Sequence, residues 1–552
     1  MHVLMRTKPS TLSILQLVLF AIFLFVGKPF ASGTGSETPT SILRFGVHVS
    51  DIGTLDPHLA AGSQDRAVAD MIFNGLLRYE PGNAPTIEPD LAESIPEFDL
   101  IGGRQVWTVR LRKGVLFHAG PKTPAYELTS ADVVYSFRKS ADKQFCAYAG
   151  DYDGMRFVAV DRYTLTIIVE NPTSATLFLP KLTNYAGGFI VSKRALEAAG
   201  EKVYKTHPVG TGPFCFNGHN PGKKLFLKAH KDYFRGKPRI DGVEIHFAPD
   251  IEDREAALRT GKLDVITGSG DKKWFRRITN EPDLIVDTHG VGEVITIYLN
   301  TRLKPFDDIR VRRAIALAVN RNGFLETVSR QFSAPVYSPV PADFLPGGLN
   351  QSQLEALALP YRQDMSEAKR LLAEAGYPDG FTVDLVSSEK RLYRSCYKEV
   401  SQQLAEVGIN CRTTTVTHPM MHKRIRNHHL PLVLYVAWRP NADGFLSRFF
   451  HSDASVVFGK KPDTNFSCYS KVDRLIEEAR LEIDPQKQIQ LWQQAQIRIL
   501  NDAAAIPIMS VKQCYVRRAN VRYGHRLVST MALYPQFTEK TTLTNHRKDA
   551  NP

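Results

Sequence analysis

Runs with strand periodicity and runs with helix periodicity are interleaved along almost the whole chain, and this interleaving constrains the fold more than any other feature. Strand-like runs are ILRFGVHV (42–49), VWTVRL (106–111), TLTIIVE (164–170), VEIHF (243–247), VITIYLN (294–300) and LPLVLYVAW (430–438). Apolar residues recur at helical spacing over 130–141, 253–261, 311–321, 366–376 and 472–482. Ser130 and Ser366 are expected as N-caps, Asp253 precedes Ala-rich turns, and Gly376 is expected to stop its helix. The pattern indicates an α/β architecture built in lobes. The 552 residues call for two or three cores, since single hydrophobic cores stop growing at roughly 250–300 residues.

The first thirty residues belong to a different category. Met1–Pro9 carries Arg6 and Lys8 without an acid, Leu12–Val26 is apolar except for Ser13 and Gln16, and Ala31, Ser32 and Gly33 follow. A basic start, a short apolar run and a small-residue exit predict a secretory signal peptide over 1–31 that is cleaved on export. The run is shorter than the roughly 20 residues that span a bilayer. No cysteine stands near the exit, so no lipid anchor is expected and the mature protein is expected in the periplasm. The net charge of +13 is spread among acids rather than gathered in one patch. It reads as a basic solvated surface, with an acidic ligand as the rival and no nucleic acid as partner. The six cysteines, Cys146, Cys215, Cys396, Cys411, Cys468 and Cys514, are widely and irregularly spaced. In an oxidising compartment at least one bridge is expected, with Cys396 and Cys411 the nearest pair in sequence.

The glycine-rich stretch VGTGPFCFNGHNPGKKLFLKA (209–229) invites a phosphate-loop reading, which the spacing rejects. Gly218 and Gly222 are one residue too close, Lys224 stands where Ser or Thr should hold magnesium, and LFLKA alternates as a strand instead of opening a helix. A hairpin turning over Gly218–Gly222 is expected instead. There is no H-E-x-x-H, no G-x-S-x-G and no G-x-G-x-x-G after a strand, so no catalytic residue and no cofactor are assigned. His418 and His422 are spaced i,i+4 in a segment that continues to His428 and His429. Lys423, Arg424 and Arg426 in the same segment would repel a cation, so no metal site is assigned there.

Taken together, VGTGPF (209–214), KDYFRGKPRIDGV (231–243) and ALRTGKLDVITG (257–268) resemble the extracytoplasmic solute-binding proteins of the oligopeptide/dipeptide class, family 5, of ABC importers. TLDPH (54–58), EPDLAES (88–94), WTVRLRKGVLFHAG (107–120), SADVVYSF (130–137), LNTRLKPFDDIRVRRAIALAVNR (299–321), AKRLLAEAGYPDGF (368–381), QQLAEVGI (402–409) and AAIPI (504–508) continue the likeness in the family's order. The resemblance implies a two-lobed periplasmic-binding-protein fold with hinge strands and an extra subdomain in the first lobe. It places lobe I over 37–290, with the subdomain near 81–195, lobe II over 291–509, and a return to lobe I over 510–552. It also implies a monomer that closes on a peptide or small anionic solute and delivers it to membrane permease and ATPase subunits, with no bond made or broken.

The resemblance places ligand recognition in YVAWRPNADGFLSRFF (435–450). Peptide binders carry there an aspartate that pairs with the peptide's α-ammonium. Here Trp438 is followed by Arg439 and Pro440, the loop is about three residues shorter, Asn441 stands near the aspartate's place, and Asp443 aligns with a later acidic position. Either Arg439 anchors an anionic solute by bidentate pairing with Trp438 as an apolar wall, or Arg439 faces solvent and Asp443 has taken the ammonium role. Asp56 and His58 in TLDPH, Asn184 and Tyr185 in LTNYAGG, and Arg302 after LNT are further candidates for lining the cleft. Two rivals keep or reuse the fold: a binder of metal complexes or haem through the histidine-rich segment, and a secreted hydrolase.

Overall fold

The computed structural model describes residues 41–60, 62–359, 362–427 and 430–544. The expected signal segment and the pair His428 and His429 lie outside the described residues. Among the described residues no helix is long and apolar enough to cross a membrane.

The expected strands form, and a nine-stranded mixed sheet organises the chain. Its order runs Phe214–Asn220, Lys224–Ala229, Gly242–Phe247, Ile42–Val47, Val265–Thr267, Ala505–Arg518, Leu284–Leu299, Leu432–Ala437, with Ser333–Pro335 pairing on Ala505–Arg518. Ile42–Val47 pairs in parallel with Gly242–Phe247 and with Val265–Thr267, whereas the other pairs are antiparallel. The run VITIYLN is only the second half of a 16-residue strand. Its first half, LIVDTHGVG, carries Asp287, His289 and two glycines that mask the strand period.

Two hydrophobic cores lie along this sheet. One gathers Phe45, Ile72, Phe73, Trp107, Phe137, Phe189, Phe214, Val243 and Tyr534, and the other Ile297, Ile315, Tyr397, Leu434, Phe449, Trp492 and Ile508. A separate antiparallel sheet of four strands, Glu97–Ile101, Arg104–Arg110, Met155–Ala159 and Thr164–Val169, contributes Trp107, Val109, Leu165 and Ile167 to the first core. Strict alternation produces this: in Arg104–Arg110, Gln105, Trp107 and Val109 face inward while Arg104, Thr108 and Arg110 face water. In the second core, the helix Ile309–Ala318 presents Val311, Ala314, Ile315 and Ala318, the i, i+3, i+4, i+7 set of one helical face. The fold is mixed α/β, with two cores along one mixed sheet and a separate four-stranded sheet packed on the first core.

Helix starts fall one to three residues before their expected caps. Thr129 and Asp132 form a capping box ahead of Ser130, Asp364 accepts from Glu367 N–H at 2.9 Å, and Asp250 accepts from Glu252 N–H at 2.8 Å. The acceptor must sit outside the first turn to reach its N2 or N3 N–H, which moves each cap upstream. Gly376 follows its helix with φ 91°, as expected. The hairpin pairs Phe214 with Ala229 and Asn220 with Lys224. Gly222 makes its turn at φ 68°, whereas Gly218 belongs to a bulge within the first strand. The glycines of VGTGPF serve close approach: a Cβ on Gly210 or Gly212 would lie 2.1 or 2.5 Å from the backbone of Ile72. That backbone instead accepts the Gly212 N–H at 2.8 Å.

The expected disulfide is not present. All six cysteines are free thiols, five of them buried and Cys411 half-buried. Cys396 lies in the helix Arg391–Ala405 and Cys411 in the strand Ile409–Val416, each a small apolar side chain within its own element's packing.

Candidate functional site

The strand Leu432–Ala437 is apolar throughout and delivers Trp438, Arg439 and Pro440 directly beyond its end. Asn441 then caps the helix Ala442–Phe450, its Oδ1 accepting from Gly444 N–H at 2.8 Å. This role occupies Asn441's acceptor oxygen. The helix buries Phe445, Leu446, Phe449 and Phe450, which fixes the segment against the second core.

Trp438 meets Tyr185, distant in sequence, and both pack against the second core. Its ring packs edge-on against Tyr185, with centroids 5.8 Å apart and an interplanar angle of 71°. The Arg66 guanidinium lies 5.4 Å from the centre of the same tyrosine ring. Arg66 also donates to Tyr148 Oη at 3.4 Å. Trp438, Tyr185, Tyr148 and Arg66 thus form one aromatic and cationic wall. Two further hydrogen bonds bridge the neighbouring surfaces: Ser174 Oγ donates to Gln488 Oε1 at 2.6 Å, and Thr173 Oγ1 to the Arg480 carbonyl at 3.0 Å.

Arg439 is half-buried, with its guanidinium 4.8 Å from the centre of the Phe449 ring and one Nη1–H donated to the Trp438 carbonyl at 2.8 Å. Its Nε–H is buried without an acceptor, and among the described residues it forms no ion pair. Desolvation, followed by the nearby positive charge of Arg448, lowers its pKa below the usual arginine value. A guanidinium held largely out of water without a direct ion-pair partner is costly, and that cost falls when an anion arrives.

The remaining candidates have internal partners. Asp443 accepts from Arg480 Nε at 2.8 Å and from Ser447 Oγ at 2.9 Å, so its carboxylate is already neutralised. Asp56 is fully buried and paired with Lys139 Nζ at 2.8 Å, and it accepts from His58 N–H at 3.1 Å. His58, also fully buried, has Nε2 2.8 Å from the Phe189 carbonyl. Asn184 accepts from Tyr79 N–H at 3.1 Å and donates to Asp70. Arg302 is exposed and stacks 4.3 Å from the Phe458 ring centre. The structure thus brings Trp438 and Tyr185 together, sets Arg439 against Phe449, and engages Asp56, His58, Asn184, Asn441 and Asp443 in hydrogen bonds within the fold. Arg66 and Tyr148 were not legible in the sequence, because no motif signals a contact between residues more than 80 positions apart. The His418–His422 pair lies on the helix His418–Asn427, with the two Nε2 atoms 3.1 Å apart and His422 Nδ1 facing Arg426 Nη1 at 2.9 Å.

Comparison with known proteins agrees with this architecture. Residues 86–456 match the middle region of the bacterial extracellular solute-binding proteins, family 5. Heme-binding protein A of Haemophilus influenzae is 28% identical over 473 residues, covering 81% of this chain and 83% of that protein. Di/tripeptide-binding protein 2 of Pseudomonas aeruginosa is 28% identical over 521 residues, covering 90% and 94%. The solved structure of the binding protein MoaA of A. tumefaciens R10 in complex with mannopinic acid is 34% identical, with a TM-score of 0.74 over 92% of this chain and 100% of that one. With the two-lobed fold and the matched region covering most of its length, this chain belongs to the bacterial extracellular solute-binding proteins of family 5.

Proposed function

We propose that this substrate-binding component of an ABC importer captures a small solute bearing a carboxylate, and that Arg439 receives it. The observation that carries the reading is the half-buried Arg439 guanidinium, which has no counter-ion among the described residues and an orphaned Nε–H. A carboxylate there would complete a charge-assisted pair in a partly desolvated setting. Trp438 and Tyr185 would close over the apolar part of the solute. The engagement of Asp443 by Arg480 argues against an ammonium-first, peptide-like mode. MoaA, bound to the acidic solute mannopinic acid, supports an anionic ligand class for a relative of this similarity.

Capture works by hinge closure. Lobe I (37–290) and lobe II (291–509), with the chain returning to lobe I at 510–552, would exchange solvent contacts for the Trp438–Tyr185 and Ser174–Gln488 contacts. A solute that touches both lobes only when they are closed shifts that equilibrium by its differential affinity. The chain would act as a periplasmic monomer after removal of 1–31 and present its closed form to permease and ATPase subunits.

The test is native mass spectrometry of the purified protein followed by calorimetric titration with mannopinic acid. Arg439→Ala should weaken binding roughly 30-fold or more, since truncating one partner of a buried charge pair costs about 2–5 kcal/mol. Arg439→Lys should recover only part, because a point charge lacks the bidentate fork. A co-purified peptide mixture whose affinity is indifferent to Arg439→Ala would refute the reading. Haem retained by wild type and lost on His418→Gln would favour the histidine segment instead.

A further inference from the structure

Three side chains outside the solute site meet inside the first core. His118 follows the short strand Leu116–Phe117, Cys215 is the second residue of Phe214–Asn220, and His230 directly follows Lys224–Ala229. The hairpin register, with Phe214 opposite Ala229, brings Cys215 and His230 together. The backbone bond from His118 N–H to the Gly210 carbonyl, at 2.8 Å, draws the third residue in. One ligand atom from each residue lies within 4.8 Å of the other two. The three are 2%, 9% and 8% exposed. The two imidazole rings stand edge to face with centroids 4.7 Å apart.

A single carbonyl fixes both tautomers. Gly212 O lies 2.9 Å from His118 Nε2 and 3.2 Å from His230 Nδ1. A carbonyl oxygen only accepts, so both of these nitrogens carry the hydrogen. In neutral rings the bare lone pairs are then His118 Nδ1 and His230 Nε2. His118 Nδ1 is buried with no hydrogen-bond partner. Histidines that give one N–H to a backbone carbonyl and turn the other nitrogen inward have the outer-shell arrangement of metal ligands.

We propose that His118, Cys215 and His230 bind one thiophilic metal ion of the Zn²⁺ or Cu⁺ class, oriented by the Gly212 carbonyl. Two imidazoles and a thiolate suit ions that accept sulfur and nitrogen together, and not the oxygen-seeking Mg²⁺ or Ca²⁺. With Zn–N about 2.0 Å and Zn–S about 2.3 Å, ligand atoms end roughly 3.3–3.8 Å apart, so binding an ion draws the three side chains closer together. The Cys215 thiol gives up its proton to solvent as the S–metal bond forms, so one proton is released per ion and nothing is oxidised. The ion would staple the Leu116–Phe117 segment, the Gly210–Gly212 turn and the sheet-edge hairpin.

Chelator-treated protein is titrated with Zn²⁺, Cu⁺ and Co²⁺, read by native mass spectrometry and near-ultraviolet absorbance. The expected result is one ion per chain and, with Co²⁺, a thiolate-to-metal charge-transfer band. Cys215→Ser, close in volume and checked for wild-type circular dichroism, should abolish the band and weaken Zn²⁺ binding by about 10-fold or more. His230→Gln should weaken Zn²⁺ binding similarly, and His418→Gln should leave both readouts unchanged. The proposal is overturned if no ion binds at concentrations near that of the protein, if bound Co²⁺ gives no such band, or if the ion survives Cys215→Ser and is lost with His418→Gln.

Discussion

Replacing Asp56 with alanine separates a fold-holding role for the TLDPH loop from a solute-binding one. Asp56 Oδ2 and Oδ1 lie 2.8 and 3.1 Å from Lys139 Nζ, and the two side chains are 0% and 4% exposed. The only other contact of the ammonium among the described residues is the Phe145 carbonyl at 3.4 Å. Asp56→Ala therefore strands a cation in the first core and also frees the His58 N–H that Asp56 accepts. Removing one partner of a buried pair costs about 3–5 kcal/mol, a large share of a total stability near 5–15 kcal/mol. Asp56→Ala/Lys139→Met, which removes both charges, should recover more than half of the loss, because the penalty lies in the unpaired ion and not in the missing attraction. Urea unfolding followed by circular dichroism and by tryptophan fluorescence, with all three proteins compared at one pH, measures this. If Asp56→Ala stays within about 1 kcal/mol of wild type, or the double variant is no more stable than the single one, the account is wrong. A normally stable Asp56→Ala that no longer binds solute would return the carboxylate to the cleft.

Two other perturbations test the packing and the closure. Burial holds His58 and His289 down to about 4, against 6.5 in the unfolded chain. Between these values the unfolded chain takes up protons that the folded chain does not. Their contribution to stability is therefore complete above pH 6.5 and is lost as pH falls toward 4, by about 1.4 kcal/mol per unit for each residue. His289→Gln should lower the slope of stability against pH by up to about 1.4 kcal/mol per unit, read from urea unfolding between pH 7 and pH 5. Ser174→Ala deletes the hydrogen bond to Gln488, worth about 1 kcal/mol net. It should shift the open-to-closed ratio several-fold toward open, read as a larger radius of gyration by small-angle scattering without solute. An unchanged radius would mean that this bond does not hold the lobes.

The parts of the fold that repeat a local period were legible in the sequence. TLTIIVE and LPLVLYVAW became strands because alternation or continuous apolarity already encodes which faces are covered. The long strand Leu284–Leu299 was half hidden, because Asp287, His289 and two glycines are tolerated only where a partner strand satisfies the backbone. At the site, Trp438 and Arg439 stood out as departures from an expected pattern. The contact of Trp438 with Tyr185, and of Tyr185 with Arg66, depends on how distant segments pack, which no local spacing encodes. Asp56 stood as a candidate for lining the cleft for the same reason: its partner Lys139 is 83 residues away. The cysteines misled because an even count in an exported chain suggests bridges, whereas here burial alone accounts for the five that are inside.

The strands Leu284–Leu299 and Ala505–Arg518 stay laced together from Leu284 opposite Arg518 to Tyr298 opposite Ala505, with the ladder interrupted between His289 and Glu293. Two separate tethers would let the bodies they join swivel, slide and drift independently. A laced ribbon resists shear and stretching, because either would break many hydrogen bonds at once, and it yields most easily by bending or twisting where the ladder is already broken. Relative motion is thereby funnelled into very few coordinates. A membrane partner then needs to gauge only one separation, such as the gap between two surface points far from the solute, to know whether the cleft is loaded. The same economy lets solutes of different shape send one signal.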